Sequence, residues 1–155
     1  INLFKIARPN DKNINIGIAD KEGEDYYYQS SHINQANSFK FYDNVKKVKV
    51  QITTLDNIIK NLGIEKIDFL NIDVEYRDFK ALQGLNLNNV RPSLIAIEDN
   101  DAYDIADVTN SDIYKYMTNK EYFLYSKLNC TNFYLDKRYK SNLNDILNTQ
   151  NKNSL

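Results

Sequence analysis

The sequence predicts an α/β fold with a mostly parallel sheet, because strand-like and helix-like segments alternate along its 155 residues. Two segments, 67–73 and 93–98, are short and nearly continuous apolar runs. Such runs are typical of parallel strands that helices cover on both faces. Segment 75–84 lies between them and has the pattern of a short helix that ends at Gly84, so the three segments form a βαβ unit.

The N-terminal segments predict a helix end and further strands. Residues 1–8 have the pattern of a helix end, and isoleucines at every second position predict a strand over 14–19, just before Asp20. A turn follows, and then the polar and aromatic segment 24–44, which we expect to form a strand or a loop. Strict alternation over 45–53 predicts a strand with one solvated face, near an edge of the sheet.

The clearest helix covers residues 55–62, where apolar side chains share one face through the i, i+3, i+4, i+7 spacing. Thr53 or Thr54 can cap the start of this helix, and Gly63 suits a left-handed exit. The apolar stripe consists of Leu55, Ile58, Ile59 and Leu62.

The C-terminal third predicts a helix over 111–119, which the cap residue Ser111 opens. Two strands, 122–128 and 132–136, are close enough along the chain to form an antiparallel pair. A last helix is predicted over 142–148.

Length and charge limit the function classes. A chain of this length favours a single domain, which we place at 1–148, with a frayed tail at 149–155. With 20 basic and 21 acidic residues there is no electrostatic case for binding nucleic acid. No apolar run is long enough to span a bilayer, and no signal-peptide pattern opens the sequence. We therefore expect no membrane association and a cytoplasmic location.

The rare residues exclude several kinds of site. Cys130 is the only cysteine and His32 the only histidine, so the sequence offers no intrachain disulfide, cysteine-rich zinc site or two-histidine metal motif. We expect His32 at the surface and Cys130 as a small buried residue at the start of a strand. The four glycines are too dispersed for a phosphate-binding loop.

Acidic residues follow the predicted strands. Asp20, Asp73 with Glu75, and Glu98 each come at or just beyond the end of one strand. Ligands of open α/β sheets bind beyond the carboxyl ends of the strands, so these carboxylates would line one rim of the sheet. The alternative is that they cap the following helices. The acidic segment 98–107 could bind a hard cation, but it lacks the spacing and glycine of an EF-hand, which favours a solvated loop.

Several landmarks, in the same order along the chain, resemble the FkbM family of S-adenosylmethionine-dependent methyltransferases. The resemblance covers about residues 1–136 and is strongest at VQITTLDNIIKNLGIEKIDFLNIDVE. The landmarks are Thr54-Leu55-Asp56, Ile72-Asp73-Val74-Glu75, Gly84, Arg91-Pro92 and Ile97-Glu98. 

The resemblance implies a Rossmann-like class I methyltransferase sheet with an antiparallel final strand pair, and S-adenosyl-L-methionine as the cofactor. The methyl acceptor would be a small molecule or a glycan, most simply through an oxygen atom. Asp20, Asp73 and Glu98 would be cofactor-binding residues, with Asp20 near the adenine, and Asp73 and Glu75 would be catalytic. The fold would be N-terminally incomplete, because the family's opening strand, glycine-rich cofactor loop and next strand are not found in this sequence.

Two departures from the family keep other functions open: the missing loop, and Asn71 and Tyr76 where the family has lysine and glycine. One alternative is a non-catalytic remnant that binds a partner or forms a homodimer through an exposed sheet edge. Another is a metal-dependent hydrolase, although the histidines that such sites usually recruit are missing. Its residues would be Asp73, Glu75, Glu98 and Asp101.

Overall fold

The structure, a computed structural model, describes residues 2–29 and 46–139 of the chain. The strands are β1 Gly17–Ile18, β2 Gly23–Gln29, β3 Lys46–Thr53, β4 Phe69–Ile72, β5 Leu94–Glu98, β6 Tyr122–Leu128 and β7 Thr131–Asp136. The helices are α1 Asn2–Ala7, α2 Leu55–Leu62, α3 Asp78–Gln83, α4 Ile105–Asn110 and α5 Asp112–Asn119. The predicted helix 142–148, the tail 149–155, His32 and most of segment 24–44 lie outside the described residues.

The strands form a mixed α/β architecture with two sheets. One sheet has the order β1-β3-β2, in which β3 pairs parallel with β1 and antiparallel with β2. The other has the order β4-β5-β7-β6, in which β5 pairs parallel with β4 and antiparallel with β7. Strands β6 and β7 are antiparallel to each other.

Two sequence-based expectations about the first sheet are wrong. The strand predicted near an edge, β3, is the central strand of its sheet, because β2 and β1 satisfy the backbone groups on its two sides. Its alternating pattern reflects one solvated sheet face rather than an edge position. The strand predicted over 14–19 is only two residues long and pairs with β3 rather than with the strands of the second sheet.

The two apolar strands of the βαβ unit are buried to different degrees. Strand β5 has three consecutive buried residues, as expected for a strand covered on both faces. Strand β4 does not fit that expectation, since Asn71 is exposed and Phe69 is 54% exposed. The difference follows from position, because β4 is the edge strand of the second sheet as described and β5 is internal.

Local sequence signals explain most of the helix ends. The Thr54 hydroxyl accepts a hydrogen bond from the Asn57 N–H at 3.2 Å, and Gly63 closes α2 in the left-handed region at φ 64°. The Ser111 hydroxyl caps α5 in the same way. Helix α3 begins at Asp78 rather than at 75, because Glu75 and Tyr76 have φ values of 52° and 70° that no α-helix accommodates.

The core lies between the second sheet and the helices α2, α3 and α5. Its fully buried side chains include those of Leu82, Ile95, Ile97, Met117 and Tyr134. The first sheet contacts the end of α3: a Cβ added to Gly84 would lie 2.2 Å from the backbone oxygen of Ala19, the residue after β1. Only glycine permits this close approach between α3 and the first sheet.

A buried ion pair holds the amino-terminal end of β5. Arg91 donates to both carboxylate oxygens of Asp136, at 3.0 Å each, and to the backbone oxygen of Lys120 at 2.8 Å. The Arg91 and Asp136 side chains are only 12% and 8% exposed. The guanidinium also stacks on Tyr122, whose hydroxyl donates to the Pro92 oxygen. The Arg-Pro landmark therefore joins the starts of β5 and β6 to the end of β7.

Replacing Arg91 should destabilise the fold. In Arg91→Met the buried Asp136 carboxylate keeps the Arg138 N–H at 3.1 Å and the more distant guanidinium of Arg138 at 3.4 Å, but it loses its buried ionic partner. We expect a loss of about 3 kcal/mol in the free energy of unfolding, measured by urea denaturation. The matched control is Arg8→Met, because the Arg8 side chain in its pair with Asp11 is 64% exposed. That variant should change stability by roughly 0.5 kcal/mol or less, and equal losses in both variants would contradict this role for Arg91.

Candidate functional site

The register between β4 and β5 brings two of the predicted carboxylates together. Ile72 pairs with Ile97 in the parallel ladder, so Asp73 follows β4 at the same edge at which Glu98 ends β5. One carboxylate oxygen each from Asp73, Glu98 and Asp78 lies within 4.8 Å of the others. We refer to Asp73, Asp78 and Glu98 as the acidic rim. Within it, Asp73 is exposed and Glu98 is half-buried.

Asp78 is the member of the acidic rim that was not predicted. It is 4% exposed, and its Oδ1 accepts a hydrogen bond from the Val74 N–H at 3.0 Å. Burial raises the pKa of Asp78 from 3.8 to about 6; the Val74 N–H opposes the shift, whereas the charges of Glu98 and Asp73 add to it. The sequence signal was the acidic residue in the first turn of α3, which is also the ordinary pattern of a helix start.

Glu75 lies beside the acidic rim, in the left-handed turn before α3. Burial, with smaller contributions from the charges of Asp73 and Glu98, raises the pKa of Glu75. Burial also raises the pKa of Tyr27 on β2, and the charge of Glu75 adds to that shift. The guanidinium of Arg77 is 2.8 Å from the carboxylate of Asp25, so the turn before α3 contacts the first sheet.

A cavity of about 710 Å³ opens beside this turn. Residues of β1, β2 and β3 form one side, and the segment after β4 forms the other. The lining includes Gly17, Tyr27, Val50, Gln51, Asp73 and Glu75. The predicted catalytic pair, Asp73 and Glu75, therefore lines a space between the first sheet and the segment that follows β4.

Other predicted residues lie elsewhere. Asp20 follows β1 in the other sheet, so the prediction that it shares one sheet edge with Asp73 and Glu98 is wrong, because β1 pairs with β3. Of the metal set Asp73, Glu75, Glu98 and Asp101, both Glu75 and Asp101 are absent from the one group of metal-compatible side chains among the described residues. The capping alternative finds no support for Asp73, since α3 has Arg77 at its cap position and no side-chain cap bond.

Cys130 also differs from its prediction. It lies in the turn between β6 and β7 rather than in a strand, and it is only partly buried. Its Sγ lies 3.5 Å from Oε1 of Glu98, and burial, followed by the charge of Glu98, raises the pKa of the thiol. A thiol with a raised pKa is a poor nucleophile, so we assign Cys130 no catalytic role.

The buried Asp78 should make stability depend on pH. Its pKa is raised in the folded state, so its contribution to stability is full below its ordinary value of 3.8 and is lost as pH rises through about 6. Asp78→Asn keeps an oxygen for the Val74 N–H but cannot ionise. Relative to the wild type, the free energy of unfolding of this variant should rise by about 2 kcal/mol between mildly acidic and neutral pH. The free energies of unfolding are measured by urea denaturation at several pH values in this range. If the difference between the two proteins did not change with pH, the raised pKa of Asp78 would be contradicted.

The described part of the chain contains no helix that is long and apolar enough to cross a membrane. No curated protein and no solved structure matches the sequence. The family model described as the methyltransferase FkbM domain matches residues 2–124, which is most of the chain. The carboxylates that the structure brings together, Asp73 and Glu98, lie within that match. The chain therefore belongs to the FkbM methyltransferase family.

Proposed function

We propose that this chain transfers a methyl group from S-adenosyl-L-methionine to an oxygen of a small molecule or glycan. The observation that carries the proposal is the position of Asp73 and Glu75 on the 710 Å³ cavity, beside the acidic rim, in a member of this family. The parallel pairing of β4 with β5 and the antiparallel pairing of β6 with β7 support a Rossmann-like class I methyltransferase sheet.

The cavity suits this cofactor in size and charge. Its volume of about 710 Å³ lies within the range of roughly 300–1,000 Å³ that is usual for sites of small molecules and cofactors. Carboxylates beside a sulfonium cation lower its electrostatic free energy, and they accept hydrogen bonds from ribose hydroxyls and an amino group. We assign cofactor binding to Asp73, which lines the cavity, and to Glu98, its neighbour in the acidic rim. Asp20 follows β1 in the other sheet and is not among the lining residues, so we do not assign it a contact with the cofactor.

When bound, S-adenosyl-L-methionine supplies an electrophilic methyl group to an acceptor held in line with it. The chain's own residues would then align the acceptor and receive its proton. Glu75 suits the second task because its raised pKa makes it a better base than an ordinary glutamate. Asp78 would position Asp73 through the segment between them, since it accepts from the Val74 N–H and is itself buried.

Calorimetry with two cofactor forms tests this proposal. S-adenosylmethionine carries the sulfonium charge, whereas S-adenosylhomocysteine is a neutral thioether. We expect both to bind. Asp73→Asn should weaken S-adenosylmethionine about tenfold and S-adenosylhomocysteine less, because only the former loses the interaction between a sulfonium charge and the Asp73 carboxylate.

The matched control is Asp68→Asn. Asp68 is an exposed acid whose partner is Lys66, and it precedes β4, at the opposite end of that strand from Asp73. This variant should bind both compounds as the wild type does. No heat and no thermal shift with either compound at millimolar concentration would contradict the proposal, and so would equal losses in the two variants. A thermal shift with Mg²⁺ alone would favour the metal-dependent alternative.

A further inference from the structure

A second cavity lies at the end of β5, and it shares no lining residue with the first. Its volume is about 450 Å³, and residues of α3, α4, α5 and the segment after β5 enclose it. No lysine or arginine lines it. The polar lining residues are Asp99, Asp101, Asp107, Asn110, Ser111 and Asp112.

Three of these acids have an ordinary explanation. Asp107 and Asp112 lie in the first turns of α4 and α5, where the helix dipole favours a negative charge. Asp101 is exposed to solvent. These side chains alone therefore do not indicate a ligand.

Asp99 has no such explanation. It is 6% exposed, and its Oδ2 has no hydrogen-bond partner in the part of the chain that the structure describes. Two buried donors among the described residues, the Tyr134 hydroxyl and the Asn132 amide nitrogen, are also without a partner, so neither satisfies this oxygen. A carboxylate that is buried to this degree without a donor is unfavourable. Because Asp99 lines the cavity, a donor from a ligand there would lower that cost.

The arrangement of the acids indicates the kind of ligand. Among the described residues, the only metal-compatible group of acidic side chains is the acidic rim, so the carboxylates around the second cavity do not converge on one ion. Acceptors spread around 450 Å³ suit an organic molecule that donates hydrogen bonds from several points, with a positive charge to match the net negative lining.

We propose that the second cavity binds the ammonium group of a small hydroxylated amine, of which an amino sugar is the simplest example. Asp99 accepts from the ammonium, and Asp101, Asp107 and Asp112 accept from hydroxyls. Asp99 directly follows Glu98, and Phe79 of the lining directly follows Asp78, so the second cavity adjoins the acidic rim. Its role as the acceptor site rests on the proposed function; the binding itself does not.

The test is an NMR titration of the full chain with D-glucosamine and D-glucose, without methyl donor and at mildly acidic pH, where the amine is protonated. We expect glucosamine to bind about tenfold more tightly than glucose and to shift the amide signals of the segment after β5 and the starts of α4 and α5. Asp99→Asn should abolish the preference for glucosamine, and the control Asp68→Asn should retain it.

Equal affinities for the two sugars in the wild type, or a preference that survives Asp99→Asn, would overturn the inference. If Asp99→Asn does not fold, the exposed Asp101→Asn decides: a severalfold loss of glucosamine affinity supports the site, and unchanged affinity overturns it. Because no methyl donor is present, the glucosamine preference can hold even where S-adenosylmethionine fails to bind. That combination would reject the proposed function and leave the ammonium site intact.

Discussion

The candidate site depends on one constraint, the register in which β4 pairs with β5. Pairing of Ile72 with Ile97 puts Asp73 and Glu98 at the same sheet edge. A slip of one residue would turn every side chain of β4 to the opposite face and would separate the two carboxylates. At the other end of the two strands the Ser93 and Leu94 N–H groups donate to the Ile67 and Asp68 oxygens, which continues this register. At that same end Arg91 joins the start of β5 to Asp136 of β7. The Arg91–Asp136 ion pair and the acidic rim therefore lie at opposite ends of β5.

The acidic rim is an electrostatically unfavourable arrangement by itself. Three carboxylates lie close together, and one of them, Asp78, is buried at the start of a helix that is delayed by two left-handed residues. Like charges and burial both disfavour the ionised form of Asp78, which its raised pKa reflects. Strain and repulsion of this kind are common at functional sites, where a bound cation can offset them. A sulfonium beside the rim and an ammonium in the adjoining cavity would both have this effect.

Sequence patterns predicted the parts of the fold that local interactions determine. The Thr54 cap, the Gly63 exit and the Ser111 cap depend on residues within a few positions of each other, and all three occur as predicted. The division into two sheets could not be predicted in the same way, because it depends on which strand β1 pairs with. The delayed start of α3 was missed because the left-handed turn uses Glu75 and Tyr76, whereas glycine is the usual signal of such a turn.

The candidate site, like the fold, could be predicted only in part from the sequence. Residues at the ends of adjacent parallel strands follow from sheet geometry, and Asp73 and Glu98 do come together. Asp78 could not be found from sequence, and Asp99 could not be singled out within the acidic segment 98–107, because their importance comes from burial and hydrogen-bond partners rather than from residue type. The most direct test of the account is a crystal structure of the chain with S-adenosylmethionine. The account predicts the cofactor in the 710 Å³ cavity with its sulfonium beside Asp73, on the side of the acidic rim. The cofactor bound away from that cavity, or the two carboxylates at opposite edges of the sheet, would contradict it.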